Sequence, residues 1–302
     1  MEQNTGLAPK HILLALFTVL VWGVNFIAIH VGLKVFPPFL LCALRFGLAA
    51  FPWIFLFPRP KAPLMFILGY GVFSFAVQFG ALFCSLSMGL SAGLASLVVQ
   101  VQIFFSMGLA ALFFKDRPGT WKIYGSLISF AGIGMVAAHV GGDTSLLGLL
   151  LTLLAALSWA VGNMFTKKVD AQSALALVVW GNLMALPFMI LVTLFLEGPA
   201  LIMTSFQNVS IATILALLYT VYISTHVGYG AWGFLLKTYS TAAVVPFTLL
   251  IPVVGFLSSA LFLGEELSTW KLVASLFVMT GLIFNVLEKQ IKALFIKTKS
   301  EK

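Results

Sequence analysis

The chain has 302 residues, of which 61% are hydrophobic and only 9% are charged, and its mean hydropathy is +1.09. Soluble domains are about half apolar and about a quarter charged, so this composition excludes a soluble globular protein and indicates one embedded in lipid. A bilayer core requires about 20 apolar residues per helix. The sequence therefore predicts an all-α membrane protein with ten transmembrane helices, at residues 11–32, 38–58, 63–86, 91–114, 120–139, 146–167, 173–196, 209–236, 241–263 and 270–288.

The Lys and Arg residues lie almost entirely on one side of these ten segments. With a cytoplasmic N-terminus, the cytoplasmic side holds all but three of the 17, namely Lys10, Arg59, Lys61, Lys115, Arg117, Lys122, Lys167, Lys168, Lys237, Lys289, Lys292, Lys297, Lys299 and Lys302. Because positively charged loops remain in the cytoplasm, both termini are predicted to be cytoplasmic. The net charge of +8 and the basic tail at 291–302 then indicate contact with anionic membrane lipids rather than with nucleic acid.

Two stretches of the chain repeat each other at a constant offset of 149 residues. "ALFFKDRPGTWKIYGSLISFAG" at 111–132 matches "ALFLGEELSTWKLVASLFVMTG" at 260–281, including its Thr-Trp-Lys turn. A weaker match joins "LVWGV" to "LSWAV" at an offset of 137, which fits a longer loop around "EGPALIMTSFQN" in the second half. Because five spans per half is an odd number, we predict two inverted repeats, at 1–140 and 141–290, before the basic tail. Such repeats are typical of secondary transporters with a substrate site near the midplane, although a duplication can also serve assembly alone.

The acidic residues exclude most kinds of active site. All nine lie in loops or at span ends, namely Glu2, Asp116, Asp143, Asp170, Glu197, Glu265, Glu266, Glu288 and Glu301. No carboxylate pair is therefore available for buried acid–base chemistry, and no His, Cys and Asp cluster has metal-ligand spacing. No phosphate-binding loop is present either. The sequence predicts neither an enzyme nor a metal or other cofactor.

Uncharged polar residues recur at helical spacing within the apolar segments. Their side chains would lose hydrogen bonds in lipid, so these faces are expected to turn towards partner helices or a wet cavity. They are Thr18, Trp22 and Asn25; Ser74, Gln78 and Ser85; Ser96 and Gln100, with Gln102 roughly opposite; Trp159, Asn163 and Thr166; and Tyr219, Tyr222, His226 and Tyr229. Each side chain could simply bond neighbouring helices, and His226 could also respond to protons. The convergence of five faces, with Trp close to Asn in both halves, favours a cavity.

Arg45 is a permanent cation about 10 Å along the second span from its outer end. Three interpretations are open: it could reach out to the membrane interface, cap backbone carbonyls or a helix C-terminus, or attract a substrate carboxylate. A guanidinium suits the last role because its fork donates two parallel hydrogen bonds. The candidate substrate-binding residues are therefore Trp22, Asn25, Arg45, Gln78, Gln100, Trp159, Asn163, Tyr219, Tyr222 and His226.

Nearly the whole chain resembles the EamA branch of the drug/metabolite transporter superfamily, close to the cysteine/O-acetylserine exporters. The resemblance rests on "VWGVNF", "PPFLLCALRFGLAAFP", "AGLASLVVQVQIFF", "LSWAVGNMFTKK", "VGYGAWG" and "LLIPVVGFLSSALFLGEEL". It implies a ten-helix inverted-repeat fold in the bacterial inner membrane and export of small amino-acid metabolites. His30 and His226 depart from the family pattern, which more often has Lys and an aliphatic residue at these positions.

The expected function is therefore secondary transport that exports cysteine-like amino-acid metabolites by alternating access. A broader exporter of aromatic amino acids or drugs is the main alternative, suggested by the aromatic residues of spans 1, 6 and 8. A membrane sensor or scaffold without flux is the alternative from another class. The sequence leaves open the direction and energy source of transport and whether the protein forms a homodimer.

Overall fold

The computed structural model describes residues 7–115, 118–140, 144–166, 168–169, 173–288 and 290–291, so the tail beyond residue 291 lies outside it. Ten helices are long and apolar enough to cross a membrane, which confirms the predicted fold class. They are α1 (Pro9–Leu33), α2 (Pro38–Phe55), α3 (Leu64–Ser87), α4 (Ala92–Phe113), α5 (Thr120–Ala138), α6 (Leu146–Thr166), α7 (Ala174–Gln207), α8 (Ile211–Thr238), α9 (Val245–Leu263) and α10 (Thr269–Val286).

The packing of the helices follows the two repeats. Helix α2 packs against α7, α4 against α9, and α5 against α10, and each of these pairs joins equivalent helices of the two halves. Helix α1 packs against α8 and α9, and in the same way α6 packs against α3 and α4. Equivalent helices of the two halves therefore pack in a symmetric pattern, as expected of an inverted five-helix repeat.

Small residues allow α5 and α10 to pack closely. A Cβ atom on Gly125 would lie 2.5 Å from the carbonyl oxygen of Gly281, and one on Gly132 would lie 2.8 Å from that of Ala274. Between these points, Ser129 Oγ donates a hydrogen bond to Val278 O over 2.9 Å. Close approach of small residues with an interhelical hydrogen bond is a common means of association in lipid, where the hydrophobic effect contributes little.

Several of the spanning helices are not regular α-helices along their whole length. Wider π-helical turns occur at Val72–Val77 in α3, Thr193–Glu197 in α7 and Tyr219–Gly228 in α8. Tighter 3₁₀ turns occur at Val99–Val101 in α4 and Val245–Leu249 in α9, and the second of these contains Pro246. These turns change which side chains share a face, because the number of residues per turn changes.

The segment "EGPALIMTSFQN" forms a helix, whereas the sequence predicts a loop there. Gly198 has φ 77°, a conformation that suits glycine, and the chain then continues as the helix Gly198–Gln207. Pro199 supports this start because proline is favoured in the first turn, where its missing N–H costs nothing. Phe206 in this helix packs against Phe36, with ring centroids 5.6 Å apart. The extra residues of the second half therefore form a short helix after a break at Gly198, rather than an irregular loop.

Candidate functional site

A cavity of about 480 Å³ lies between the two halves of the bundle. Its lining comes from α1, α2, α3, α4, α6, α7, α8 and α9, whereas α5 and α10 contribute none of the lining residues. Seven of the ten candidate residues line it, namely Trp22, Asn25, Arg45, Gln78, Gln100, Trp159 and Asn163. The structure therefore brings together polar faces from helices that are distant in sequence.

The cavity extends towards one end of the bundle. Its lining includes Thr166 at the end of α6, Ala174 at the start of α7, Leu236 near the end of α8 and Val245 at the start of α9. The start of α1 lies at this same end, because the backbone N–H of Ala8 donates to the hydroxyl of Tyr239, just beyond α8. We call this end of the bundle the open end.

At the other end, two carboxylates connect the second half to the first. Glu197 on α7 accepts hydrogen bonds from the backbone N–H groups of Phe39 and Leu40, over 2.7 and 2.8 Å, at the start of α2. Glu265, just after α9, accepts from Ala92 and Gly93, over 2.7 and 3.2 Å, at the start of α4. Such contacts satisfy orphan N–H groups and place negative charge at the positive end of a helix dipole. We call this end the capped end.

Arg45 is the charged group among the described residues that line the cavity, and it is only 1% exposed. Its Cζ lies 3.9 Å from the ring centroid of Phe79, and its Nη2 donates to Thr225 Oγ1 over 3.2 Å. The Nε and Nη1 groups have no hydrogen-bond partner among the described residues. This burial rules out the interpretation that Arg45 reaches the membrane interface. None of the acids that the structure describes lines the cavity, so the guanidinium charge is not neutralised there.

The amide side chains of the cavity come from α1, α3 and α4 of the first half and from α6 of the second. Gln78 on α3 and Gln100 on α4 are buried, and Gln100 Nε2 donates to Thr248 O on α9 over 3.2 Å. Gln102 also lines the cavity, although α-helical spacing predicts that it points away from Gln100. The reason is the 3₁₀ turn of α4 at this point, which winds more tightly than an α-helix and so reduces the angle between the two side chains.

Aromatic rings from both halves form much of the remaining wall. Trp22 packs against Tyr229 and Trp232 of α8, with ring centroids 5.4 and 5.3 Å apart. Its indole N–H donates to Ser224 O over 3.1 Å, which fixes the orientation of the ring. Trp159 on α6 faces the same cavity from the second half, with Asn163 one turn further along.

The other three candidate residues lie outside the cavity lining. The hydroxyl of Tyr219 donates to Val21 O over 3.0 Å. His226 lies between the rings of Trp53 and Tyr222, and its ring nitrogens lie 2.9 and 3.1 Å from carbonyl oxygens of α8 and α2. The π-helical turn of α8 breaks the α-helical spacing from which a shared face is predicted. Of the four residues predicted to share a face of α8, namely Tyr219, Tyr222, His226 and Tyr229, only Tyr229 lines the cavity.

Thr225 is a functional candidate that reasoning from the sequence missed. It is fully buried, accepts the hydrogen bond from Arg45, and donates its own hydroxyl proton to Thr220 O over 2.8 Å. That second bond reaches back five residues, which is possible because this part of α8 is wider than an α-helix. A threonine in an apolar segment carries no signal of its own, so only the structure reveals the contact.

Comparison with known proteins agrees with this architecture. The model of the EamA-like transporter family matches residues 9–138 and 146–287, so it covers both halves of the chain. The chain belongs to the EamA-like transporter family. A "Probable amino-acid metabolite efflux pump" of Salmonella typhimurium is 44% identical over 90% of this chain and 93% of the relative. One of the same name from Escherichia coli K12 is 42% identical over 93% of this chain and 96% of the relative.

The fold of this EamA-like transporter also resembles a solved crystal structure. The two superpose with a TM-score of 0.63 over 93% of this chain and 98% of the other, at 17% sequence identity. At that identity the likeness supports the fold alone. Together with the ten spans, the family membership makes the chain an integral, multi-pass membrane transporter.

Proposed function

We propose that this EamA-like protein exports small amino-acid metabolites, of the cysteine and O-acetylserine type, across the bacterial inner membrane by alternating access. The observation that carries the proposal is Arg45, a buried cation on the cavity wall whose Nε and Nη1 have no hydrogen-bond partner among the described residues. A buried charge is costly unless it is paired, and a substrate carboxylate would supply the missing partner. The efflux-pump names of the relatives support the same substrate class.

The charge of the cavity distinguishes between classes of substrate. Since none of the described acids lines it, a positively charged ligand would meet the Arg45 guanidinium without compensation. At a separation of about 5 Å and an effective dielectric constant of about 20, that repulsion is about 3 kcal/mol. A zwitterion or an anion has a carboxylate that turns the same interaction into an attraction. We therefore expect selection for carboxylate-bearing metabolites and against organic cations.

The difference between the two ends of the bundle supports alternating access. The cavity extends to the open end, whereas Glu197 and Glu265 hold the halves together at the capped end. The distribution of Lys and Arg favours cytoplasmic termini, and the open end would then face the cytoplasm. In this orientation, the open end would admit substrate from inside the cell. A fluorescent protein fused to the C-terminus should then be fluorescent, whereas a periplasmic phosphatase reporter should be inactive.

Export of aromatic amino acids or drugs is the second candidate function. The observation in its favour is the ring-rich wall that Trp22, Trp159, Tyr229 and Trp232 contribute to the cavity. Aromatic amino acids share the carboxylate contact, so only the side-chain selectivity would differ. Cationic drugs are disfavoured by Arg45 for the electrostatic reason given above.

A flux assay distinguishes these functions. Purified protein in proteoliposomes is tested with labelled cysteine, O-acetylserine, phenylalanine, tryptophan and an organic cation. The proposal predicts flux of the first two and little flux of the cation. Flux of the aromatic compounds alone would favour the second candidate, and no flux of any compound would favour a sensor or scaffold. Overexpression in cells should likewise raise external cysteine and O-acetylserine.

A further inference from the structure

We infer that Asn25 and the rings of Trp22, Tyr229 and Trp232 form a subsite for the ammonium group of the substrate. This inference rests on the proposed function, in which Arg45 binds the carboxylate. An amino-acid metabolite carries both charges, so a cavity that selects it must stabilise the ammonium as well. The described lining holds no acid for this purpose, and neutral acceptors must therefore serve.

Asn25 provides the hydrogen-bond acceptor. It lines the cavity and is 7% exposed, and its Oδ1 has no hydrogen-bond partner in the described part of the chain. Buried polar atoms in native proteins are nearly always bonded, so an unpartnered acceptor on a cavity wall indicates a missing donor. An ammonium group donates three hydrogen bonds and is the kind of donor that an amide oxygen accepts.

The ring cluster lies beside this acceptor. Trp22 is three residues before Asn25 on α1, so the two side chains lie on neighbouring turns of one face. Its ring packs against Tyr229 and Trp232, with centroids 5.4 and 5.3 Å apart, and all of them line the cavity. Aromatic faces attract ammonium groups through their negative π clouds, and tryptophan does so most strongly.

The proposed ammonium subsite adjoins the carboxylate contact. Trp22 donates to Ser224 O and Arg45 donates to Thr225 Oγ1, so the two contacts involve consecutive residues of α8. An aspartate or glutamate at the subsite would instead pair with Arg45 and compete with the substrate carboxylate. An amide oxygen and aromatic faces attract the ammonium without neutralising the guanidinium. The absence of acids from the described lining is therefore consistent with recognition of a zwitterion.

Competition in proteoliposomes tests the subsite. Uptake of labelled O-acetylserine is inhibited with unlabelled O-acetylserine or with the 2-hydroxy acid of the same carbon skeleton, in which a neutral hydroxyl replaces the ammonium group. The wild type should prefer the amino compound, and Asn25→Ala should reduce that preference about tenfold, which corresponds to about 1.4 kcal/mol. Asn182→Ala is the matched control, because Asn182 is buried outside the cavity lining and its amide donates to Val178 O within its own helix.

A second pair of variants tests the rings. Tyr229→Leu removes a ring face and should lower the preference for the amino compound, whereas Tyr229→Phe retains the face and should keep it. Equal weakening of both competitors by Asn25→Ala, or equal effects of the two Tyr229 variants, would overturn the inference. The proposed function is tested by a different variant: it is wrong if Arg45→Ala leaves the preference for carboxylate-bearing substrates unchanged.

Discussion

The contact between Thr225 and Arg45 yields the most sharply defined prediction. Thr225→Val keeps the shape of the side chain but removes the hydroxyl that accepts the hydrogen bond from Nη2. A hydrogen bond to a charged group contributes about 1.5–3 kcal/mol. We expect an effect near the lower end, because the Phe79 ring, 3.9 Å from Cζ, still holds the guanidinium. A loss of about 1.4 kcal/mol raises the KM for a carboxylate-bearing substrate about tenfold.

The assay is the concentration dependence of O-acetylserine uptake into proteoliposomes, measured for three variants of α8. Thr225→Ser retains a hydroxyl and should remain close to the wild type. Thr220→Val is the matched control, because Thr220 is equally buried but its hydroxyl donates only to a carbonyl oxygen of its own helix. If Thr225→Val and Thr220→Val change the KM equally, or if Thr225→Ser is as impaired as Thr225→Val, then Thr225 does not position Arg45.

Three further predictions concern the scaffold around the cavity. Gly125→Val should lower the thermal midpoint in detergent, because the new Cβ would lie 2.5 Å from a carbonyl oxygen of α10 and overpacking costs about 1–3 kcal/mol. Gly134→Val is the control and should leave the midpoint unchanged, since nothing lies within 4 Å of a Cβ at that position. Glu265→Gln should raise deuterium uptake at the first turn of α4, because the N–H groups there lose their bonds to a charged carboxylate. Glu266→Gln is the control and should leave this uptake unchanged. Equal uptake in the two variants would contradict the capping contact. His226→Leu should destabilise the fold by about 1–3 kcal/mol in chemical denaturation, because a carbonyl oxygen that accepts a hydrogen bond from the imidazole N–H loses its donor. An unchanged midpoint would refute this role.

The fold could be predicted from the sequence because hydrophobic length and repetition are strong signals. In a bilayer every backbone polar group must be bonded internally, so a run of about 20 apolar residues has little alternative to a helix. The 149-residue offset shows which helices of the two halves are equivalent, whereas their packing against each other is seen only in the structure. Gly125 and Gly132 lie seven residues apart on one face of α5, and the structure places α10 against both.

The cavity could be predicted in part, and the errors have one physical cause. Trp22, Asn25, Trp159 and Asn163 line it as expected, because α1 and α6 are regular α-helices at these positions. The misplacements occur where the helix is not an α-helix. Gln102 follows a 3₁₀ turn, whereas Tyr219, Tyr222 and His226 lie within a π-helical turn. Neither kind of turn has a signal in the local sequence, since both depend on packing against other helices.

The partner of Arg45 could not be predicted from the sequence alone. No acid lies within an apolar segment, so the sequence offers no charged partner for Arg45. The residue that does contact it, Thr225, is 180 residues away along the chain. Its role depends on how α2 meets the widened turn of α8, which only the packed structure shows. The capping contacts of Glu197 and Glu265 are likewise seen only in the structure. A carboxylate at the end of one helix gives no indication in the sequence of which other helix it caps.

The central claim is that Arg45 selects substrates by their carboxylate. The most direct test is the ratio of transport of O-acetylserine to that of its methyl ester, measured in proteoliposomes for the wild type, Arg45→Lys and Arg45→Ala. Lysine keeps the charge but not the planar fork, so its ratio should fall between those of the other two. We predict a strong preference for the free acid in the wild type and its loss in Arg45→Ala. The same preference in Arg45→Ala as in the wild type would contradict the claim.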